Sequence, residues 1–535
     1  MTVRDRLIGL AEFGDERRRH RAIAALATCF ALLVASPVIW MVVRALGAPP
    51  DAFALLVSPG TLQVLVNSVV VIAAVSAFSV LIGVPLAVLT VQTDLPFGRF
   101  WTVTAALPLV IPEYIGAFAF ASAFGPHGAF ADALVPLGVT SIPTIYGLQG
   151  TVIVFTLFTY PYVFLTTRAG LLSVDETLVE AARTLDRSSI GALREIVLPQ
   201  VLPAISAGVL LTALDSLADF GTPAIMHYDT FMRQIYVQYN NYAQPGYTAL
   251  LSMELLVVVA VVLVLESRVS GDANAGFSGG GSGRPGSVRL GRWRWPATLF
   301  PAAVAVLAIG VPLAILVKWH YRTGTTYAGF AFHLSDVLHS VEVSALAAVA
   351  ALVASLPVAY YAARSDSPLS TVVDRVSYVG YAVPGLVLGI SLVYFGTAFV
   401  PALYQTLPML VFAYVVRFLP QAVGSVRSSF LQVDDTLTEA ARTLEHSPLA
   451  AFRRVTIPLV APGLAAGAAL VFLTTMKELQ ATLVLQPTGF RTLVTYIWKV
   501  QEAGYYSEAA IPALVLVGVS ALSMLVLLAR ERYDV

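Results

Sequence analysis

Glu180-Ala181-Ala182-Arg183-Thr184-Leu185 occurs a second time, unchanged, as Glu439-Ala440-Ala441-Arg442-Thr443-Leu444. Around both copies the likeness continues in register at an offset of 259 residues. Arg168 falls on Arg427, Leu172 on Leu431, Asp175 on Asp434, Thr177-Leu178 on Thr436-Leu437, and Ile196-Val197-Leu198-Pro199 on Val455-Thr456-Ile457-Pro458. Farther upstream the offset becomes 272, with Ser68 on Ser340 and Pro85 on Pro357, so the second copy is about 13 residues shorter in between. Solenoid units repeat every 20 to 50 residues or so; a unit this long is a duplicated domain.

Each copy is a polar stretch set between apolar ones and reads as two short helices. Ser173 and Glu176 have capping-box spacing, and Asp175, Glu176, Asp434 and Asp435 put negative charge where a helix N-terminus stabilises it. Glu180 to Leu185 is rich in good helix formers, and Glu180 and Arg183 can pair at i,i+3. Ser447-Pro448 reads as the N-cap and first residue of a second helix, with Ser188-Ser189 at the matching place. Pro199 and Pro458 then close that helix or kink the chain into the next apolar segment.

The surrounding composition makes this a membrane protein. Of 535 residues 57% are hydrophobic and 12% charged, against about 25% charged in soluble domains, and the mean hydropathy is +0.79. Membrane lipid, and not nucleic acid, is the partner such a composition implies. The single cysteine, Cys29, excludes a disulfide framework and a cysteine metal site. Arg4, Arg6, Arg17, Arg18, Arg19 and Arg21 precede an apolar run from Ala22 to Leu46, longer than the core of a cleaved signal and therefore expected to be a retained span.

Apolar windows of about 20 residues place spans near 22–46, 65–90, 100–123, 146–167, 201–224 and 247–266, repeated near 297–318, 338–363, 376–400, 404–425, 459–484 and 509–529. The expected fold is an all-α polytopic membrane protein of two tandem, parallel six-helix domains, about 12 transmembrane helices in all. With the N-terminus inside, most of the Lys and Arg residues and both repeated loops fall on the cytoplasmic side. The expected domains are a cytoplasmic segment 1–21, a first domain 22–266, a linker 267–296 and a second domain 297–535. Gly279-Gly280-Gly281-Ser282-Gly283 marks the linker as a flexible tether; Arg284, Arg289, Arg292 and Arg294 hold it inside, and Trp293 and Trp295 suit the interface.

Only three lysines occur, Lys318, Lys477 and Lys499, none preceded by glycine, so the chain has no G-x-x-x-x-G-K-[ST] phosphate loop and is not expected to be an enzyme that hydrolyses ATP. Two matching cytoplasmic loops nonetheless need something to touch. Glu180-Ala181-Ala182 followed by Ile196, Leu198 and Pro199, and Glu439-Ala440-Ala441 followed by Val455, Ile457 and Pro458, resemble the E-A-A-x-x-x-G-x9-I-x-L-P motif of ABC importer permeases. Both copies depart at the glycine, where Asp186 and Glu445 stand.

The resemblance implies two type I permease domains, each offering a coupling helix to one of two cytoplasmic ABC ATPase subunits that use ATP and Mg, with an extracytoplasmic substrate-binding protein as a further partner. Glu180, Ala181, Ala182, Arg183, Glu439, Ala440, Ala441 and Arg442 would form the ATPase-coupling loops; an ordinary amphipathic surface loop is the alternative. Leu217-Ala218-Asp219-Phe220-Gly221-Thr222-Pro223 with Thr230-Phe231 and Gln234-Ile235-Tyr236, and Met476-Lys477-Glu478-Leu479 with Pro487-Thr488-Gly489-Phe490 and Thr492-Leu493, resemble the fused permeases for ferric iron. Gln480 departs from the proline usual there, and permeases for thiamine, polyamines and aminoethylphosphonate share the architecture.

Charges inside spans are costly and face a cavity or a partner. Asp219 and Glu478 are partners at the 259 offset, and Asp215 lies one turn before Asp219. With Glu113 and Lys477 they are the candidate translocation path, carboxylates suiting a hard cation; helix capping and structural pairing are the alternatives. Glu254 and Glu342 read as structural, and His227 and His320 lack a second histidine at ligand spacing, so no metal site or cofactor is expected in the chain. The aromatic outer loop from Met226 to Gly246, with Tyr228, Arg233, Tyr236, Tyr239 and Tyr242, suits a substrate-binding protein or the membrane interface. The competing function is a secondary transporter with Asp219 and Glu478 as ion-binding acids; a scaffold without transport is a third.

Overall fold

The computed structural model describes residues 3–126, 128–137, 143–174, 191, 197–240, 245–271, 288–321, 331–365, 367–433, 436–437 and 448–530. In hydrocarbon a backbone must satisfy its own polar groups. Among the described residues the chain does so with helices, apart from an isolated bridge between Thr93 and Val288. Nine of these helices are long and apolar enough to cross a membrane, and two bent pairs raise the count to eleven. Tyr506–Arg530 adds a further helix, apolar over Tyr506–Leu522, where the last span is expected.

The expected straight spans 100–123 and 376–400 are both broken. Gly98–Val110 meets Glu113–Asp132 at 94°, and Pro368–Ala382 meets Gly385–Phe399 at 100°. Proline is the cause, since it forces the residue before it out of the helical region. Ile111 (φ −86°, ψ 118°) precedes Pro112, and Val383 (φ −88°, ψ 120°) precedes Pro384, at the same 272 offset as Ser68 and Ser340.

The fifth spans also stop early. Leu198–Ala218 ends before Asp219 and a new helix runs Gly221–Ile225; Ile457–Met476 ends before Glu478 and a new helix runs Gln480–Leu485. Pro199 and Pro458 sit in the first turns of these spans, where a missing N–H costs nothing. Pro448 opens the helix Pro448–Ala451, as its spacing after Ser447 predicts.

A second pair of equivalent ties fastens a short helix to the second span of each repeat. The Ser68 hydroxyl accepts from Phe231 N at 3.0 Å, at the head of Phe231–Asn240; the Ser340 hydroxyl accepts from Leu493 N at 2.7 Å, at the head of Leu493–Glu502. Asn67 donates to the Asp229 carbonyl at 3.0 Å, and the His339 ring contacts the Arg491 carbonyl at 3.1 Å. Both serines are buried, so removing the acceptor strands a buried N–H. Ser340→Ala and Ser68→Ala are each expected to destabilise by about 1–3 kcal/mol, read as a lower thermal midpoint in detergent. An unchanged midpoint would mean that water replaces the hydroxyl.

By its contacts the chain forms two compact units, one of Met1–Arg44, Phe332–Tyr496 and Leu522–Val535, the other of Ala45–Ala331 and Ile497–Ala521. This partition crosses the sequence repeats. In the first unit the opening span of the first repeat packs on the second repeat: Ser391 donates to the Pro37 carbonyl at 2.5 Å, and Trp40 lies edge-on to Phe399 at 4.8 Å. In the other unit the opening span of the second repeat packs on the first: Trp319 donates to Ser122 at 3.0 Å and its ring lies 4.4 Å from Phe118.

The tether expected over 267–296 is anchored at its arginine-rich end. Val288 N donates to the Gln92 carbonyl at 2.7 Å, Leu290 N to the Asp94 carboxylate at 2.8 Å, and Trp295 meets Phe97 edge-on. Backbone pairing and ring contact restrain this end, whereas the Gly279 to Gly283 run lies outside the described residues.

Candidate functional site

Glu180, Ala181, Ala182, Arg183, Glu439, Ala440, Ala441 and Arg442 lie outside the described residues. The described flanks are the helices Leu148–Leu172 and Leu407–Gln432 leading in, and Leu198–Ala218 and Ile457–Met476 leading out.

Asp219 and Glu478 stand at equivalent breaks, each just past the end of a long span, and each turns its carboxylate onto the helix that follows. Asp219 accepts from Gly221 N at 3.0 Å and Thr222 N at 2.8 Å. Glu478 accepts from Ala481 N at 3.1 Å, while its own carbonyl accepts from the Thr482 hydroxyl, which in turn bonds Tyr414 at 2.6 Å. A short acidic side chain satisfying the first amides of a helix is the physics of an N-cap. The span therefore ends where the acid captures those amides, which sequence periodicity does not report.

The two breaks differ in charge. Glu478 forms an ion pair with Arg417, Nε to Oε2 at 3.2 Å, with side chains 7% and 15% exposed respectively. Asp219 is buried, and Glu113 acts on it electrostatically. Glu113 begins the helix after the Pro112 elbow, where the N-terminal end of a helix favours an acid. Asp215 lies in the last turn of its span, its carbonyl accepting from Asp219 N at 3.1 Å, and Lys477 follows the end of the equivalent span. Arg417 is legible in the sequence as an arginine within an apolar span, although the path expected from the sequence comprises Glu113, Asp215, Asp219, Lys477 and Glu478 without it.

The segment expected to be an outer loop borders a cavity of about 810 Å³ within the unit Ala45–Ala331 plus Ile497–Ala521, lined among others by Tyr146, His227, Lys318, Trp319, Glu502 and Tyr506. His227 takes a left-handed φ of 55° and stacks on Tyr146 at 4.9 Å. Tyr236 stacks on Phe220 at 4.5 Å, which carries the loop helix onto the Asp219 break. Burial, reinforced by Glu502, raises the Tyr236 phenol above its usual range, so it acts as a neutral group. Arg233 pairs with Asp229; Tyr242 lies outside the described residues.

The profile of the binding-protein-dependent transport system inner membrane component matches residues 79–270 and again 355–532. An Fe(3+)-transport system permease protein of Haemophilus influenzae is 32% identical over 468 residues, 86% of this chain and 89% of that protein. A probable ABC transporter permease of Sinorhizobium fredii is 26% identical over 82% of this chain and 81% of its own length. A ferric transport system permease protein of Actinobacillus pleuropneumoniae is 23% identical over 86% of this chain and 70% of its own. With two matched segments that together exceed half its length, the chain belongs to the binding-protein-dependent inner membrane permeases of ABC transporters.

Proposed function

We propose that this chain is the complete transmembrane part of an ABC importer for ferric iron, with 22–266 and 297–535 as its two permease domains and its N-terminus in the cytoplasm. The observation that carries the cargo is the 32% identity to an Fe(3+)-transport permease across 86% of the chain. In this reading the loops around Glu180 and Glu439 each dock on one of two cytoplasmic ATPase subunits, which use ATP and Mg. A binding protein delivers cargo to the outer face, where the aromatic cavity beside Tyr146 and His227 receives it. ATP binding draws the two loops together and turns the path outward; hydrolysis resets it. Glu113, Asp215, Asp219, Lys477 and Glu478 are the residues proposed to line the path, and carboxylate oxygen not already paired with a cation is the ligand a hard trivalent ion prefers.

The test uses the chain expressed with its partner subunits. Uptake of radiolabelled ferric iron is expected to stop when ATP is depleted and to persist through a brief protonophore treatment that spares ATP, with an ATPase co-purifying. Uptake that survives ATP depletion and fails with the protonophore would establish the secondary transporter instead.

A further inference from the structure

Arg417 touches both breaks of the second repeat at once. It sits on Leu407–Gln432 and its Nη1 donates to the Val383 carbonyl at 3.2 Å, at the Pro384 elbow. Its Nε lies 3.2 Å from Glu478 Oε2, while Glu478 Oε1 holds Ala481 N at 3.1 Å. One guanidinium thus ties the elbow of the third span to the restart after the fifth. Planar, permanently charged and forked, guanidinium suits such a bridge better than an ammonium does.

Space has been cleared for it. A Cβ at Gly385 would overlap Glu478 Oε1 and come within 2.9 Å of Arg417 Nη1. The position equivalent to Gly385, at the 272 offset, is Glu113. Arg417 itself, at the 259 offset that also aligns the in-helix prolines Pro161 and Pro420, corresponds to Phe158. Phe158 packs so closely on Gly116 that a Cβ there would overlap its ring. The first repeat thus carries an acid at the elbow position, and the second carries glycine there with an arginine beside it.

We infer that Arg417 is a positioning residue, an internal counter-ion that locks Glu478 into the second repeat's scaffold, so that acidic handling of a cationic cargo falls to Glu113 and Asp219 of the first repeat. The inference rests on the ferric reading only for its last clause. What sets Glu478 apart is the cation: the Asp219 oxygens hold the backbone amides of Gly221 and Thr222, whereas a buried carboxylate held by a guanidinium gives up that partner only by leaving a charge exposed to low dielectric. The pair itself carries no net charge.

The test is a rescue series in the full chain with its partners, reading membrane level, thermal midpoint in detergent, and the rate and apparent KM of uptake of ferric citrate. Arg417→Gln and Glu478→Gln alone each leave a buried charge uncompensated and are expected to lower uptake at least tenfold, with a lower midpoint. Combining them is expected to restore uptake to within about threefold, with KM moved less than twofold. Asp219→Asn and Glu113→Gln are expected to lose at least tenfold at an unchanged membrane level. A double variant that regains its midpoint yet stays tenfold down, or whose KM rises as in Asp219→Asn, would overturn the inference by making Glu478 a cargo ligand. Absence of any rescue would overturn the lock. If the double Gln variant does not reach the membrane, Arg417→Met with Glu478→Met decides the same question, since apolar replacement of both members of a buried pair is tolerated. Rescue together with harmless Asp219→Asn and Glu113→Gln would support the lock while overturning the acidic path.

Discussion

Replacing Glu180 and Glu439 together by alanine is expected to reduce ATP-driven uptake at least tenfold while leaving the protein in the membrane. Neither residue lies in an apolar span, so nothing about insertion depends on them. What the pair offers is two charged groups in alanine-rich stretches whose sequence predicts helices, one in each repeat, where a partner could approach closely and a charge-assisted hydrogen bond would supply direction. Either single variant is expected to have a smaller effect, because under the proposed coupling role the other loop would still transmit motion. The measurement is uptake per membrane-inserted chain, with the ATPase activity of the purified complex alongside. Lost uptake with continuing ATP hydrolysis is the signature of uncoupling, and normal uptake by the double variant would remove the coupling role.

The largest expected loss of stability is at the other end of the helices. Arg491 holds Asp336 through two parallel bonds, Nε to Oδ1 at 2.9 Å and Nη2 to Oδ2 at 2.8 Å, and the guanidinium lies 4.8 Å from the Tyr496 ring centre. The Asp336 side chain is 2% exposed and also accepts from His333 N at 3.1 Å, closing the capping box of Leu334–Arg364. Arg491→Ala therefore leaves a carboxylate buried without its counter-charge, a change that costs about 3–5 kcal/mol in a dry site. Because Arg491 is 28% exposed and water can follow it out, about 2–4 kcal/mol is expected. Adding Asp336→Asn should recover part of that by removing the stranded charge. A thermal midpoint in detergent unmoved by Arg491→Ala would show that the pair contributes nothing.

The exchange of opening spans between repeats follows from contacts no periodicity can report. Residues 22–46 read as an apolar run able to pack on any neighbour, and their partners, Ser391, Phe395 and Phe399, stand more than 340 residues away. The bent third spans were open to reading, because Ile111-Pro112 and Val383-Pro384 occupy equivalent places in the two repeats. A hydropathy window averages over a proline and returns a straight span. Likewise Asp219 and Glu478 stood out as paired acids, but the capture of backbone amides depends on a turn made only after the helix ends.

By itself, the amino-acid sequence determined the membrane environment, the duplication, the number and order of most spans and the motif of the permease family, because each of these is written in composition, period or exact recurrence. Tertiary structure alone decided which repeat an opening span packs against, where the spans break, and that Arg417 neutralises Glu478 while Phe158 fills the matching place in the first repeat. The physical reason is that hydropathy and short motifs are local sums along the chain. Ion pairs, caps and swapped helices depend on atoms brought together in space, over a turn for the caps and across tens to hundreds of residues for the pairs and swapped spans, where one missing side chain at Gly385 makes the room.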